Sequence, residues 1–233
     1  MVPPVVALAD TPAGRFAEVQ ARIAEAAESA GRNPADITTI VVTKFHPASL
    51  VRELAGAGVE HVGENRHQEA QAKHAELVDV PLTWHFVGQL QSNKAKAVAQ
   101  YCSVIHSLDR PSLTKALAQS ERALDVFLEI NLTDVPGRGG VEPAELASLA
   151  EGVLNTPNLS LRGVMAVAPV GEDPSVAFDR VLNYREDVLR LAPGATDLSL
   201  GMSGDFVEAI SRGATHLRIG SAITGKRPDP TYP

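Results

Sequence analysis

The sequence predicts a closed (β/α)8 barrel with one extra helix at its amino-terminal end, formed by a single domain over residues 1–233. Short runs rich in β-branched residues alternate along the chain with longer runs that place apolar residues at helical spacing. Such alternation is typical of parallel strands joined by helices. We count eight strand candidates, and units of about 25–30 residues match the length of this barrel. A doubly wound open sheet is the alternative, because its strands and helices alternate in the same way.

Each element is predicted from local signals, in chain order. An alanine- and glutamate-rich helix over residues 14–31 ends near a glycine. A run of β-branched residues then predicts the first strand, and the helix after it has a proline near its start and a glycine at its end. The same pattern repeats up to the last strand. The predicted strands are 37–43, 60–63, 83–88, 102–108, 124–132, 159–167, 196–201 and 215–220, and the helices between them are 47–58, 65–78, 92–101, 109–122, 142–155, 173–191 and 203–213.

Two segments lack these signals. The glycine-rich loop 133–142 is predicted to be a mobile insertion, and the tail 225–233 is predicted to fray. No linker rich in Pro, Gly or Ser is long enough to divide the chain into domains.

The composition excludes several classes of protein. A formal charge of −7 leaves no basic surplus for nucleic acid. The single cysteine, Cys102, excludes an internal disulfide framework. The first ten residues lack the basic region of a signal peptide, and no apolar run approaches the roughly 20 residues that span a bilayer. We therefore expect a cytoplasmic protein without membrane or nucleic-acid partners.

Barrel enzymes and binding proteins place ligands at the carboxyl ends of their strands. Ser203 follows the seventh strand in "GMSGDF", and Gly220 and Ser221 follow the eighth in "RIGSAITG". Serine is a common N-cap, and glycine lets a ligand approach the backbone closely. The two turns together predict a phosphate site made of amides and hydroxyls. The alternative is that both serines are ordinary helix caps.

Lys44 directly follows the first strand in "VVTKFHP". In apolar surroundings an amine loses its proton more readily and can attack a carbonyl, so Lys44 is a candidate Schiff-base lysine. Opposite a phosphate site, the carbonyl would belong to a phosphorylated aldehyde, either a sugar phosphate or pyridoxal 5′-phosphate (PLP). The other interpretation is a solvated lysine at the rim of the barrel.

Arg218 lies inside the eighth predicted strand, in "HLRIG". A buried guanidinium needs an acceptor, and a pyridine nitrogen would serve. Because arginine keeps its proton, such a ring would stay unprotonated and would be a poor electron sink. The alternative is a structural ion pair with Glu129 or Glu64.

Seven ordered motifs resemble the YggS/PROSC family of pyridoxal phosphate homeostasis proteins: "VVTKFHP", "HVGENRHQE", "WHFVGQLQSNK", "IHSLD", "RGVMAV", "LSLGMSGDFVEAI" and "RIGSAITG". The resemblance covers roughly residues 14–227. It implies a single barrel like the N-terminal domain of alanine racemases, with PLP (a form of vitamin B6) held as an aldimine by Lys44. It also implies that Ser203, Gly220 and Ser221 hold the phosphate, that Arg218 faces the pyridine nitrogen, and that Asn65 and Met202 line the pocket. The family often has a second lysine shortly after the first, where this chain has Phe45 and His46.

Three functions are compatible with these residues. The first is PLP binding that regulates the free PLP level without strong catalysis, with PLP-dependent apoenzymes as candidate partners and the protein as a monomer or weak homodimer. The second is amino-acid racemisation of the alanine racemase type, for which His85 is a candidate acid or base. His85 is otherwise interpreted as a satisfied histidine inside the barrel. The third, a Schiff-base aldolase, finds no support from Arg218 or from the family resemblance.

Overall fold

Eight short parallel strands pair in sequence order around a closed barrel, and β1 pairs with β8 to complete it. The structure is a computed structural model that describes residues 10–133, 135 and 137–226. The strands are β1 Thr38–Val42, β2 His61–Glu64, β3 Thr83–Phe86, β4 Val104–Leu108, β5 Leu124–Glu129, β6 Leu159–Met165, β7 Asp197–Ser199 and β8 His216–Ile219.

Helices follow the strands on the outside of the barrel. They are α1 Pro12–Ser29, α2 Ala48–Gly56, α3 His67–Glu76, α4 Ala95–Val98, α5 Pro111–Leu117, α6 Leu146–Leu154, α7 Pro174–Leu191, α8 Phe206–Ser211 and α9 Ser221–Thr224. The extra helix α1 begins at a Thr11 cap, whose Oγ1 accepts from the Gly14 N–H at 3.0 Å. It packs against α2, α8 and α9, and therefore covers the seam between the first and last units.

The apolar core lies in two parts. The larger cluster joins the strands to the helices, with Val41 and Leu54 as members that are fully buried. A smaller, separate cluster contains Val104, Phe127 and Met165 from three consecutive strands, which places it inside the barrel. Burial of each large side chain contributes about 1.5–3 kcal/mol to stability.

The structure confirms the predicted barrel, and the pairing of β1 with β8 excludes the open sheet. The predicted helices over 92–101 and 142–155 are shorter than expected, because 3-10 turns at Ser92–Lys94 and Pro143–Glu145 form their first residues. The sequence signals did not predict α9, which has only four residues. In the glycine-rich loop, a bridge between Ile130 and Val141 anchors the base. Residues 134, 136 and 227–233, which include most of the predicted frayed tail, lie outside the described residues.

Within the described part of the chain, no helix is both long and apolar enough to cross a membrane.

Candidate functional site

The carboxyl ends of β1 and β8 are neighbours because these two strands close the barrel. Lys44 lies in the turn after β1, and Gly220 and Ser221 follow β8. A Cβ atom added to Gly220 would lie 3.6 Å from Val42, so the turn after β8 contacts the strand that precedes Lys44. The fold therefore brings the predicted lysine and half of the predicted phosphate site to the same part of the rim.

The turn after β7 is tied to the turn after β8. Gly201 starts it with a φ of +85°, and a Cβ there would lie 2.7 Å from the Cβ of Ala209, so only glycine fits without strain. The Oγ of Ser203 accepts a hydrogen bond from the backbone N–H of Ala222 at 3.3 Å. Among the described residues, the N–H groups of Ser203 and Gly204 have no acceptor. The turns after β7 and β8 thus present hydrogen-bond donors at the same part of the rim.

Neither serine is the N-cap residue of the helix that follows it. Asp205 is the N-cap residue of α8, and its Oδ1 accepts from the Met202 N–H at 2.6 Å. Gly220 is the N-cap residue of α9, and Ser221 is the exposed first residue of that helix. The alternative interpretation of both serines as ordinary helix caps is therefore wrong.

The Lys44 side chain is exposed, with its Nζ 5.9 Å from the centre of the Phe45 ring. The guanidinium of Arg66 lies 5.2 Å from the same ring centre. Phe45 has a φ of +68°, which is uncommon for a residue with a side chain and indicates a constrained turn. The expectation that apolar protein surroundings desolvate Lys44 is wrong, because the side chain faces solvent.

A hydrogen-bonded cluster, made of the buried Thr43, Glu64 and Lys73 and the half-buried Glu69, supports this turn. Lys73 Nζ donates to the Thr43 carbonyl at 2.7 Å, to Glu64 Oε1 at 2.7 Å and to Glu69 Oε1 at 2.9 Å. The Glu69 carboxylate also accepts from the Phe45 N–H. Burial raises the pKa of Glu64, and the charge of Lys73 opposes that rise. The cluster therefore fixes the backbone on both sides of Lys44.

Asn65 follows β2 and packs against the end of β3. A Cβ on Gly88 would lie 2.6 Å from the Asn65 carbonyl oxygen, so glycine is required for this contact. The Oδ1 atom of Asn65 is buried and has no hydrogen-bond partner among the described residues. A buried polar atom without a partner is rare in proteins and points to a ligand at this position.

Arg218 is 5% exposed and lies one residue before the end of β8. Its Nη1 donates to the carbonyl and the Oγ of Ser199, each at 2.6 Å, and its Nη2 donates to the Ala166 carbonyl at 2.8 Å. Burial lowers the pKa of Arg218 to about 10, opposed by Glu129 and Asp205, so the guanidinium stays charged at neutral pH. The alternative of an ion pair with Glu64 or Glu129 is wrong: Glu64 pairs with Lys73, and Arg218 forms no ion pair with either carboxylate.

A cavity of about 630 Å³ opens beside this rim, at the ends of β5 and β6. Met202, from the turn after β7, lines it together with Gln89, Glu129 and Asn131, whereas Lys44, Ser203, Gly220 and Ser221 do not. The Oε2 atom of Glu129 is buried without a partner among the described residues. Burial and the nearby Asp109 raise the pKa of Glu129 to about 7, and Arg218 opposes the rise. The cavity therefore holds a carboxyl group that titrates near neutral pH.

His85 is buried inside the barrel and bonded through both ring nitrogens, which confirms its interpretation as a satisfied interior histidine. Its partners include His106, and His106 in turn contacts Ser199, the residue that Arg218 binds. The roles of His106, Ser199 and the Lys73 cluster were not predicted from the sequence. Polar residues within the apolar runs "VIHSL" and "DLSL" were the available signal.

The chain is similar to known proteins along most of its length. The profile of the family described as "Alanine racemase, N-terminal domain" matches residues 16–228. A pyridoxal phosphate homeostasis protein from Pseudomonas aeruginosa is 42% identical over an alignment of 221 residues that covers 93% of this chain and 96% of that protein. The protein of the same name from Escherichia coli is 39% identical, over 92% of this chain and 96% of its own length. The structure of PipY from Synechococcus elongatus PCC7942 with PLP bound has a TM-score of 0.80 and 33% identity, and the match covers 92% of this chain and 100% of PipY.

Proposed function

The chain belongs to the alanine racemase N-terminal domain family, among the pyridoxal phosphate homeostasis proteins, and we propose that it binds PLP and regulates the free level of that cofactor. The observation that carries the proposal is the closure of β1 against β8, which sets Lys44 beside the turn of Gly220 and Ser221. Ser203 is bonded to that turn. An amine and a group of neutral phosphate donors thus share one rim.

The rim residues fit this cofactor. A phosphate would accept hydrogen bonds from the N–H groups of Ser203 and Gly204 and from the hydroxyls of Ser203 and Ser221. The unpartnered Oδ1 of Asn65 would gain a donor from a ligand hydroxyl. Lys44 would hold the cofactor as an aldimine, because a PLP aldehyde condenses with a primary amine to a Schiff base and water. The exposure of Lys44 leaves it open to incoming PLP.

Arg218 favours retention of PLP over catalysis. Its Nε has no acceptor among the described residues, so we assign this side chain as the donor to the pyridine nitrogen. The guanidinium remains charged and keeps its own proton, so the ring nitrogen stays unprotonated and withdraws electrons weakly. We therefore propose a protein that holds and releases PLP, with at most weak racemase activity.

The proposal is tested by incubating the protein with PLP, removing free PLP, and reducing the sample with borohydride. We expect a visible absorption band before reduction, and a reduced label on Lys44 by peptide mapping. Lys44→Ala should abolish the label, whereas Lys96→Ala, at an exposed lysine of α4, should keep it. A label on another lysine, or an unchanged label in Lys44→Ala, would contradict the proposal.

Weak racemisation is the second candidate function, and Glu129 is the observation that favours it. Its carboxyl group lines the cavity and has a pKa of about 7, which suits an acid or base near neutral pH. The test is interconversion of D- and L-alanine by the PLP-loaded protein. Activity that is lost in Glu129→Gln while the label on Lys44 persists would support racemisation. If the protein does not interconvert the two alanines, PLP binding remains the only supported function.

Two further expectations belong to this proposal: transfer of PLP to PLP-dependent apoenzymes in the cytoplasm, and a monomeric or weakly dimeric state. Light scattering after size-exclusion chromatography measures the oligomeric state. Direct transfer of PLP to an apoenzyme should be faster than release of PLP into buffer alone, and equal rates would contradict direct delivery.

A further inference from the structure

A chain of hydrogen-bonded side chains runs through the barrel interior to Arg218. His61 Nδ1 lies 2.9 Å from His85 Nε2, His85 Nδ1 lies 2.9 Å from His106 Nε2, and His106 Nδ1 lies 2.8 Å from Ser199 Oγ. Arg218 Nη1 donates to the same Ser199 oxygen at 2.6 Å. We call these three histidines and Ser199 the histidine chain.

We propose that the histidine chain is a positioning device that holds Ser199 as an acceptor for Arg218 and thereby aims the free N–H groups of Arg218 at the pyridine nitrogen of PLP. The inference rests on the proposed function and deepens it, because it assigns the residues that control the protonation state of the bound ring. None of the three histidines needs to touch the cofactor for this role.

The barrel interior contains polar side chains that must be hydrogen bonded. Barrel interiors are usually filled by branched apolar side chains, which require no partners. Here, buried His85 and His106 occupy the interior beside Phe127, whose ring stacks on His106 at 4.5 Å between centres. Buried polar groups are costly unless every one of them is bonded, and a fully bonded network fixes a single arrangement. Arg218 also donates to the backbone carbonyls of Ser199 and Ala166, and the chain adds to these a side-chain acceptor, Ser199 Oγ, whose direction is fixed.

The direction of hydrogen-bond donation along the histidine chain follows from the donors and acceptors of its members. Arginine has only donors, so Ser199 Oγ must accept from Arg218. Among the described residues the other side-chain contact of this oxygen is His106 Nδ1, so the Ser199 hydroxyl proton goes to that nitrogen. The His106 Nε2–H then donates to His85, and the His85 Nε2–H donates to His61. All three histidines are neutral and protonated at Nε2.

A charged histidine does not fit this arrangement. Two N–H groups on one ring would set a donor against a donor and break one link. A charge on His106 would also lie close to Arg218 and the ring of His216. Burial lowers the pKa of both His85 and His106 well below the usual range, in agreement with neutral rings.

The direction is tested first without PLP, by measuring histidine ¹⁵N resonances in the apoprotein. We expect His85 and His106 to show the Nε2–H form, with Nδ1 unprotonated. An Nδ1–H form at His106 would overturn the proposal, because Ser199 would then accept twice and have no acceptor for its own proton. This measurement decides the direction even if the protein fails to bind PLP, so the two failures are distinguishable.

The control over the cofactor is tested with PLP labelled by ¹⁵N at the pyridine nitrogen. His106→Phe removes the acceptor of the Ser199 proton and keeps a ring against Phe127. We expect a shifted pyridine resonance and about tenfold faster loss of PLP, because a Ser199 hydroxyl that turns to another acceptor weakens the hydrogen bond that it accepts from the charged Arg218. His106→Asn, whose side chain can replace Nδ1, should restore the resonance. His74→Phe, at a half-buried ring beside Trp84 outside the chain, is the matched control and should leave it unchanged.

An unchanged pyridine resonance in His106→Phe would overturn the proposal. If that variant does not fold by circular dichroism, Ser199→Ala carries the test, because the loss of one oxygen atom removes both the His106 contact and the side-chain acceptor of Arg218. A resonance that is unchanged in Ser199→Ala contradicts the inference in the same way.

Discussion

Replacement of Lys73 by methionine should strongly destabilise the protein, because it leaves a buried carboxylate without its partner. The side chains of Lys73 and Glu64 are 6% and 0% exposed, and their charged atoms lie 2.7 Å apart. Breaking a buried ion pair from one side typically costs about 3–5 kcal/mol. We expect Lys73→Met to lower the free energy of unfolding by that amount.

The double variant Lys73→Met with Glu64→Gln separates this cause from a simple loss of packing. Glutamine is neutral and can still accept the Thr43 hydroxyl, which donates to Glu64 at 2.7 Å. The double variant should therefore recover at least about 2 kcal/mol relative to Lys73→Met.

Urea unfolding followed by circular dichroism measures these free energies. Lys115→Met, at an exposed lysine of α5, is the matched control and should change stability by less than about 0.5 kcal/mol. A cost for Lys73→Met similar to that of the control, or costs that simply add in the double variant, would refute the argument.

Three other changes have definite expected results. Ser203→Ala and Ser221→Ala should each weaken PLP binding about tenfold without affecting pyridoxal, which lacks the phosphate; equal losses for both ligands would contradict a phosphate site. Gly201→Ala should lower the free energy of unfolding by about 2 kcal/mol or more, because the new Cβ would lie 2.7 Å from that of Ala209; unchanged urea unfolding would show that the turn tolerates a side chain. The pKa of Glu129 is raised from 4.5 to about 7, so the folded protein binds this proton more tightly than the unfolded chain. The stability contributed by this group therefore falls as the pH rises through that window, by at most about 3 kcal/mol. Glu129→Gln should remove this loss of stability when the free energies of unfolding are compared at about pH 5 and about pH 8. Parallel pH profiles of the two proteins would contradict a contribution from Glu129.

The barrel could be predicted because its signals are local. Strand and helix periodicity, together with glycine and proline at the ends of helices, lie within a few neighbouring residues. The order of the strands then follows from the short connections between them. The positions of Lys44, Gly220 and Ser221 at one rim were therefore accessible from the sequence, since they require only the closure of β1 on β8.

The supporting side chains could not be predicted in the same way. The contact between His106 and Ser199 joins residues that are 93 positions apart, and it depends on which side chains of β4 and β7 point inward. The pairing of Glu64 with Lys73 depends on the angle at which α3 packs on β2. The exposure of Lys44 depends on a turn in which Phe45 adopts a positive φ. Such features are set by the register of the whole barrel.

The seam between β1 and β8 has a consequence for the newly made chain. Lys44 precedes Gly220 and Ser221 in the chain, so Lys44 is synthesised first. A nascent or truncated product would thus expose only an ordinary surface amine, from which an aldehyde is soon lost by hydrolysis. PLP would be retained only after β8 had paired with β1, so that PLP loading would report closure of the barrel.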